Sequence, residues 1–317
     1  MTKIYILRDE GVAALQEIRS NTQTSSRSYD KSYKDLWKWY VQEITNNLKE
    51  AIEQTGLRLK FDIHSREEIY KQKKKYWNGK PVISLDAYAG SDVSKLGVSR
   101  IFDSKGESKL EVGNRPGYKD LQSQLAHIKS SGADTHVILD EDDICTGGTM
   151  RFILDFLHDR NIIVDMVTVG IQTGDVSQMN TQFKAIYSYK PDIVHDLSDP
   201  RDFLFGSYEG GLVLKYNGTP IRVPIIYPFV NVQEIGVSSN KAAFFSKNIV
   251  HTNRLFYTNL QQITGKPILL QDVSQNFQLF MKRSFSISHQ TPMLEVIDHL
   301  ESVIKNNERI SSSNSGC

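Results

Sequence analysis

The segment HVILDEDDICTGGTM, residues 136–150, places four consecutive acids directly before a Thr-Gly-Gly-Thr turn. The apolar run in front of the acids predicts a buried strand that ends at Asp140. The residues after the turn have apolar side chains at helical spacing, which predicts an amphipathic helix with one apolar face (Phe152, Ile153, Phe156 and Leu157). A strand, a short turn and a helix in this order are typical of one repeat of a parallel sheet.

The flanking sequence repeats this alternation of strand and helix patterns. An apolar strand at 81–84 and a helix pattern at 118–132 precede the acid strand, and the helix after the turn is followed by a strand at 162–171. Further strand sequence lies near 183–188 and 192–197. This predicts an α/β fold, with a parallel-sheet, Rossmann-like core over 80–205 that carries helices on both faces. We expect an N-terminal strand and helix elaboration over 1–79, a C-terminal α+β accessory region or hood over 206–310, and a disordered polar tail over 311–317.

The composition favours an ordinary cytoplasmic globular protein. Of 317 residues, 39% are apolar and 24% charged, and the net charge of +1 gives no overall attraction to nucleic acid or to an anionic membrane. Two cysteines form no disulfide framework and fit a reducing cytosol. The basic run KQKKKYWNGK (71–80) is interpreted as a solvated helix face, with a nucleic-acid patch as the less favoured alternative.

The turn has the chemistry of an anion site. At a helix start, backbone N–H groups lack helical acceptors, and glycine lets a phosphate approach closely. Two hydroxyls add further donors, so Thr146, Gly147, Gly148 and Thr149 predict a phosphate cradle. Acids beside a phosphate repel it unless they accept hydrogen bonds from hydroxyls or bind a metal ion, which points to a phosphorylated ribose. A Walker A loop fits poorly, because its Gly-Lys-Ser/Thr ending is missing.

The stretch VILDEDDICTGGT (137–149) resembles the phosphoribosyl pyrophosphate (PRPP) loop of type I phosphoribosyltransferases. The resemblance to this family covers about residues 80–175. The resemblance implies that Glu141 and Asp142 are catalytic acids that hold the ribose hydroxyls. It also implies a 5-phosphate site formed by the turn (Cys145, Thr146, Gly147, Gly148 and Thr149). The implied reaction transfers ribose 5-phosphate from PRPP to an unidentified nitrogen acceptor and releases pyrophosphate. Mg²⁺ would be its cofactor, held at Glu141 and Asp142 through ribose hydroxyls or water.

The resemblance also implies two further loops. A pyrophosphate loop would lie at SLDAYAGS (84–91), with Asp86 as an additional metal ligand. A mobile basic loop over 100–119 would close over the site, with Arg100 and Lys109 binding PRPP and Arg115 catalytic. The implied partners are PRPP and a small-molecule acceptor, without nucleic acid or membrane, and a homodimer is left open.

Other interpretations stay open at this point. Asp143 replaces a residue that is usually apolar in the family, which leaves a silent PRPP- or nucleotide-binding regulatory protein as the alternative function. A metal site for phosphodiester hydrolysis is disfavoured, because consecutive side chains of a strand point to opposite faces. For the acceptor, Asp199 and Phe203 are candidates, although a turn at Asp199-Pro200 and a core position for Phe203 are favoured.

Overall fold

The computed structural model describes residues 2–9, 11–22, 27–52, 58–104, 109–130, 135–176, 181–189, 194–216 and 218–314. Strands in chain order are β1 (Thr2–Asp9), β2 (Arg58–Ser65), β3 (Val82–Ser84), β4 (Ser94–Lys95), β5 (Val98–Phe102), β6 (Lys109–Asn114), β7 (His136–Ile144), β8 (Ile163–Gln172), β9 (Gln182–Ser188), β10 (Val194–Ser198), β11 (Leu212–Tyr216) and β12 (Thr219–Val223). Helices are α1 (Gln16–Asn21), α2 (Arg27–Ile52), α3 (Arg66–Trp77), α4 (Leu121–Ser130), α5 (Gly148–His158), α6 (Ala242–Thr264), α7 (Gln275–Phe285) and α8 (Met293–Asn314).

The chain divides into two compact units whose borders differ from the predicted ones. Unit 1 contains residues 1–63, 102–108 and 196–317, and unit 2 contains residues 64–101 and 109–195. The N-terminal and C-terminal regions, expected as separate elaborations, therefore belong to one unit. Helix α8 continues to Asn314, so the part of the predicted tail over 311–314 is helical.

Unit 2 is an α/β unit built on a parallel sheet in the order β4-β3-β7-β8-β9. Val82 of β3 and Ile138 of β7 pack against Trp77 of α3. Because side chains alternate along a strand, their sequence neighbours point to the opposite face, where they share a core with α4 and α5 (Ile83, Leu139, Ile128 and Ile153). The predicted parallel sheet with helices on both faces is confirmed.

Two details of the predicted elements are wrong. Phe152 is 39% exposed, so the buried stripe of α5 is formed by other apolar residues (Met150, Ile153 and Leu157). Part of the mobile loop expected over 100–119 is strand, since β5 and β6 lie side by side in a sheet. At the end of this segment, the sequence Arg-Pro-Gly (115–117) forms a turn: Tyr118 N–H donates to Arg115 O at 3.0 Å, and Gly117 has φ of 87°.

Unit 1 is built mainly on long helices. The apolar stripe of α2 is buried, and Tyr40 makes an edge contact with Phe256 of α6 at 5.2 Å between ring centroids. Helix α6 also packs against α8, and β11 pairs antiparallel with β12. Strand β10, expected next to the parallel sheet, pairs instead with β1 in a separate sheet. In the part of the chain that the structure describes, no helix is long and apolar enough to cross a membrane.

Candidate functional site

The four acids all lie within β7, which continues four residues beyond its predicted end at Asp140. The pairing with β8 matches Glu141 with Val169, Asp143 with Ile171 and Ile144 with Gln172. Alternation along the strand therefore puts Asp140 and Asp142 on one face of the sheet and Glu141 with Asp143 on the other. The Glu141 carboxylate nevertheless lies beside Asp142, because Asp142 N–H donates to Glu141 Oε1 at 2.9 Å and the Asp142 carboxylate helps to raise the pKa of Glu141.

Asp140 is fully buried and forms an ion pair with a lysine of α3. Lys73, only 1% exposed, places its Nζ 2.9 Å from Asp140 Oδ1. Ser84 donates to the same carboxylate at 2.8 Å and Thr168 at 2.9 Å. The positive partner of Asp140 is thus a neighbouring lysine side chain, and the basic run of α3, interpreted as a solvated helix face, is not wholly solvated.

Lys73 also connects α3 to the next residue of the acid strand. Its ammonium donates to Glu141 O at 3.0 Å. Burial favours the neutral amine, but the carboxylates of Asp140 and Asp86 outweigh it and raise the pKa of Lys73, so the ammonium stays charged. A buried cation therefore lies at the base of the two acids that the resemblance singles out.

Glu141 and Asp142 are half-buried and held by backbone donors. Asp142 N–H donates to Glu141 Oε1 at 2.9 Å, and Asp143 N–H donates to Asp142 Oδ1 at 2.7 Å. Burial, followed by the negative charges of Asp142 and Asp143, raises the pKa of Glu141 well above its ordinary value. A cluster of this kind favours a bound cation or hydroxyl donors over an empty, fully ionised state.

Glu141→Gln is expected to stabilise the ligand-free protein at alkaline pH. An unfolded glutamate ionises near pH ~4.3, whereas the folded Glu141 holds its proton to higher pH, so the free energy of unfolding falls as pH rises through that interval. Glutamine does not titrate, so its melting temperature should exceed that of the wild type at pH 8. The two should converge near pH 4.

Thermal melts at both pH values check this prediction. A gain of about 1 kcal/mol would correspond to roughly 2–4 °C. Glu50→Gln, at an exposed position of α2, is the control and should leave the melting temperature unchanged. An equal rise in both variants would mean that the stabilisation comes from net charge and not from the environment of Glu141.

The predicted phosphate cradle lies at the start of α5. Gly147 adopts the left-handed conformation with φ of 70°, which side chains disfavour, and the helix begins at Gly148. The first hydrogen bond of the helix runs from Arg151 N to Gly147 O at 2.9 Å. The N–H groups of the preceding residues, Gly148 and Thr149 among them, thus have no acceptor within the helix and are available to an anion.

The turn is supported from behind by the loop after β8. Thr173 N–H donates to Ile144 O at 2.9 Å, and a Cβ on Gly174 would lie 1.7 Å from the carbonyl oxygen of Cys145. Only glycine allows these two backbone segments to approach so closely. The Cys145 side chain itself is exposed.

Gly174→Ala is therefore expected to displace the turn and to lower the free energy of unfolding by about 1–3 kcal/mol, the usual cost of overpacking. Urea denaturation measures the change. Gly113→Ala is the matched control, because its new Cβ would meet only the end of the Ile101 side chain, at 3.1 Å. If both variants lose the same stability, close packing at Cys145 is not the cause.

Asp86, predicted as a metal ligand, is buried in the loop that follows β3. Its Oδ1 accepts from Tyr88 N–H at 2.8 Å, and its Oδ2 lies 4.0 Å from Arg66 Nε. The backbone carbonyl of Asp86 also accepts from Ala89 N–H at 3.2 Å. The Asp86 carboxylate thus contacts a loop amide and a guanidinium, and its neighbourhood is cationic.

Three basic side chains lie around this loop. Arg115 donates to Leu85 O at 2.9 Å and to Val98 O at 3.1 Å, and Lys95 donates to Ala87 O at 3.0 Å. Partial burial, together with the positive charges of Arg66 and Arg115, lowers the pKa of Lys95. Three cations and one carboxylate at the end of β3 make this loop suited to an anion.

The predicted basic residues divide in the structure. Arg115 reaches the loop after β3, although its guanidinium is engaged by backbone carbonyls. Arg100 is exposed on β5, and the side chain of Lys109 lies outside the described residues. Arg66 and Lys95 were not among the predicted site residues. Arg66 comes from a different element, α3, and no local pattern connects it with residue 86.

The carboxylates of the acid strand are suitable ligands for Mg²⁺, but the described residues do not provide a complete set of ligands by themselves. Among the described residues, no three His, Cys, Asp or Glu side chains converge on one point. Mg²⁺ usually takes one or two carboxylates and completes its shell with water and substrate phosphates. Glu141 and Asp142 fit that role, provided that the ligand supplies the remaining oxygens.

The acceptor candidates Asp199 and Phe203 belong to unit 1. Asp199 accepts from Arg201 N–H at 3.1 Å at the start of a short 3-10 helix and pairs with Arg8 at 3.2 Å. Phe203 is fully buried. The turn and core interpretations are confirmed for these two residues.

No known protein family, curated protein or solved structure matches this chain.

Proposed function

We propose that unit 2 binds PRPP and transfers its ribose 5-phosphate to a nitrogen acceptor, with release of pyrophosphate. The observation that carries the proposal is the order of features along one strand and helix. Half-buried Glu141 and Asp142 lie near the carboxyl end of β7, a central parallel strand, and the α5 N-terminus follows within a few residues. Ligands of open α/β sheets bind at this edge.

The basic loop after β3 supports the same function. Strand β3 is the direct neighbour of β7, and Ser84 pairs with Asp140 in register. The cations around residues 85–89 thus surround the loop that follows the strand next to the acids, where they would receive the diphosphate of a ligand bound at β7. A phosphate cradle, acids for ribose hydroxyls and a cationic loop are the three kinds of site that PRPP requires.

The chemistry needs little covalent work from the protein. The acceptor nitrogen forms a bond to ribose C1, while the bond from C1 to the pyrophosphate oxygen breaks and its electron pair leaves with pyrophosphate. The acceptor's proton passes to solvent. Carboxylates at Glu141 and Asp142 would stabilise positive charge on the ribose ring, and Arg66 and Lys95 would stabilise the leaving group. Mg²⁺, when bound with the diphosphate, would neutralise part of its charge.

Replacing Glu141 and Asp142 together by alanine is expected to weaken Mg·PRPP binding at least tenfold, because charge-assisted hydrogen bonds to the ribose are lost. Isothermal titration calorimetry measures the affinity. Glu67→Ala with Glu68→Ala, two exposed acids of α3, is the control of equal charge change. Unchanged affinity in the Glu141 and Asp142 variant would reject the ribose assignment.

A regulatory protein that binds PRPP without turnover is the second candidate. It is favoured by the engagement of Arg115 with backbone carbonyls, which leaves the guanidinium less available to a leaving group. Pyrophosphate release from PRPP, measured with a panel of nucleobases and amines, separates the two. Tight binding without release across the panel would favour the regulator.

A further inference from the structure

Ser84 connects the two halves of the candidate site through one buried hydroxyl. The side chain is fully buried at the end of β3. Its hydroxyl donates to Asp140 Oδ2 at 2.8 Å and accepts from Asp86 N–H at 3.2 Å. One side chain thus contacts both the acid strand and the loop that carries the cations.

Asp140 makes this connection rigid. It lies in register between Ser84 on β3 and Thr168 on β8, and it receives hydrogen bonds from both hydroxyls and from Lys73. The backbone adds a further bond, from Leu85 N–H to Asp140 O at 2.8 Å. The start of the loop is therefore fixed at the residue that directly precedes Glu141.

Stability alone does not account for this arrangement. Central strands of parallel sheets are normally apolar, and a buried ion pair is often no more stable than apolar residues of the same volume. Resting on the proposed function, we infer that Ser84, acting through Asp140, is a positioning residue. It holds loop 85–90 at a fixed offset from Glu141 and Asp142, so that both ends of one PRPP molecule bind together.

Fragments of the ligand test this inference. Ribose 5-phosphate would use the acids and the cradle, whereas Mg·pyrophosphate would use loop 85–90. Whole PRPP gains affinity from the correct spacing of the two sites, because it occupies both at once. Each fragment occupies only one site, so its affinity does not depend on the spacing. Ser84→Ala should weaken PRPP binding at least tenfold in calorimetry, with both fragments within about threefold of wild type.

Thr168→Val is the matched control. It removes one hydrogen bond to the same carboxylate, but from β8 and not from the strand that leads into the loop. It should leave PRPP within about threefold of wild type. If Ser84→Ala fails to fold, Ser84→Cys, which keeps the shape of the side chain with a slightly larger atom and weakens the hydrogen bonds, takes its place with the same expectation.

The outcomes separate the inference from the proposed function. Wild type that binds neither PRPP nor the fragments would overturn both. If the wild-type protein binds PRPP, and Ser84→Ala and Thr168→Val lose the same PRPP affinity, the positioning role alone is overturned. The same holds if Ser84→Ala weakens each fragment as much as PRPP, or leaves PRPP unaffected. A selective loss for PRPP in the Ser84 variant would support the inference.

Discussion

Lys73→Met is expected to lower the free energy of unfolding by about 3–5 kcal/mol, the usual cost of removing one partner of a buried ion pair. The carboxylate of Asp140 would remain fully buried without its ammonium partner. The hydrogen bond from Lys73 to Glu141 O would also be lost. Urea denaturation followed by fluorescence measures the change.

Two further variants show whether the ion pair is the cause. Lys71→Met, at an exposed position of the same helix, should change stability by no more than about 0.5 kcal/mol. Adding Asp140→Leu to Lys73→Met removes the stranded charge and should restore at least ~2 kcal/mol. A Lys73→Met variant within about 1 kcal/mol of wild type would contradict the buried pairing.

Many of the helices and strands could be predicted from the sequence, because the patterns that indicate them involve residues that are close together in the chain. The apolar stripe of α2, the strand before the acids and the alternation of strands and helices in unit 2 all follow from the spacing of neighbouring residues. Domain borders could not be predicted in this way. They depend on which distant segments pack together, and unit 1 joins both ends of the chain.

The partner of Asp140 was missed although the sequence holds a sign of it. Ile69, Lys73 and Trp77 are spaced by four residues, and all three lie on the buried face of α3. The neighbouring lysines concealed this register, since a basic run is typical of a solvated surface. Spacing from the apolar residues was the better guide to the environment of Lys73.

The cationic loop shows where sequence patterns cease to be informative. Arg66 reaches Asp86 from twenty residues earlier in the chain, across the contact between a helix start and a loop. Only the packing of α3 on the sheet brings these two side chains together. The predicted phosphate cradle, in contrast, is a continuous stretch, and the left-handed glycine and the helix start at that position were predictable from the sequence itself.

Asp142→Asn is expected to lower the rate of pyrophosphate release at least a hundredfold, once an acceptor has been identified. Under the proposed function, the Asp142 carboxylate faces a ribose ring that gains positive charge in the transition state. Loss of one preorganised electrostatic group in an enzyme site typically costs about 10²–10³ in rate. Asparagine keeps the shape and a hydrogen-bonding oxygen but removes the charge.

Asp143→Asn is the matched control for this variant. It removes the same charge one residue later, from the opposite face of β7, and its rate should stay within about threefold of wild type. Steady-state kinetics with saturating Mg·PRPP would separate loss of turnover from loss of affinity. An equal loss in both variants would mean that the total negative charge of the strand, and not the placement of Asp142, governs the reaction. A large loss at Asp143 alone would assign the electrostatic role to Asp143 and contradict the placement of Asp142.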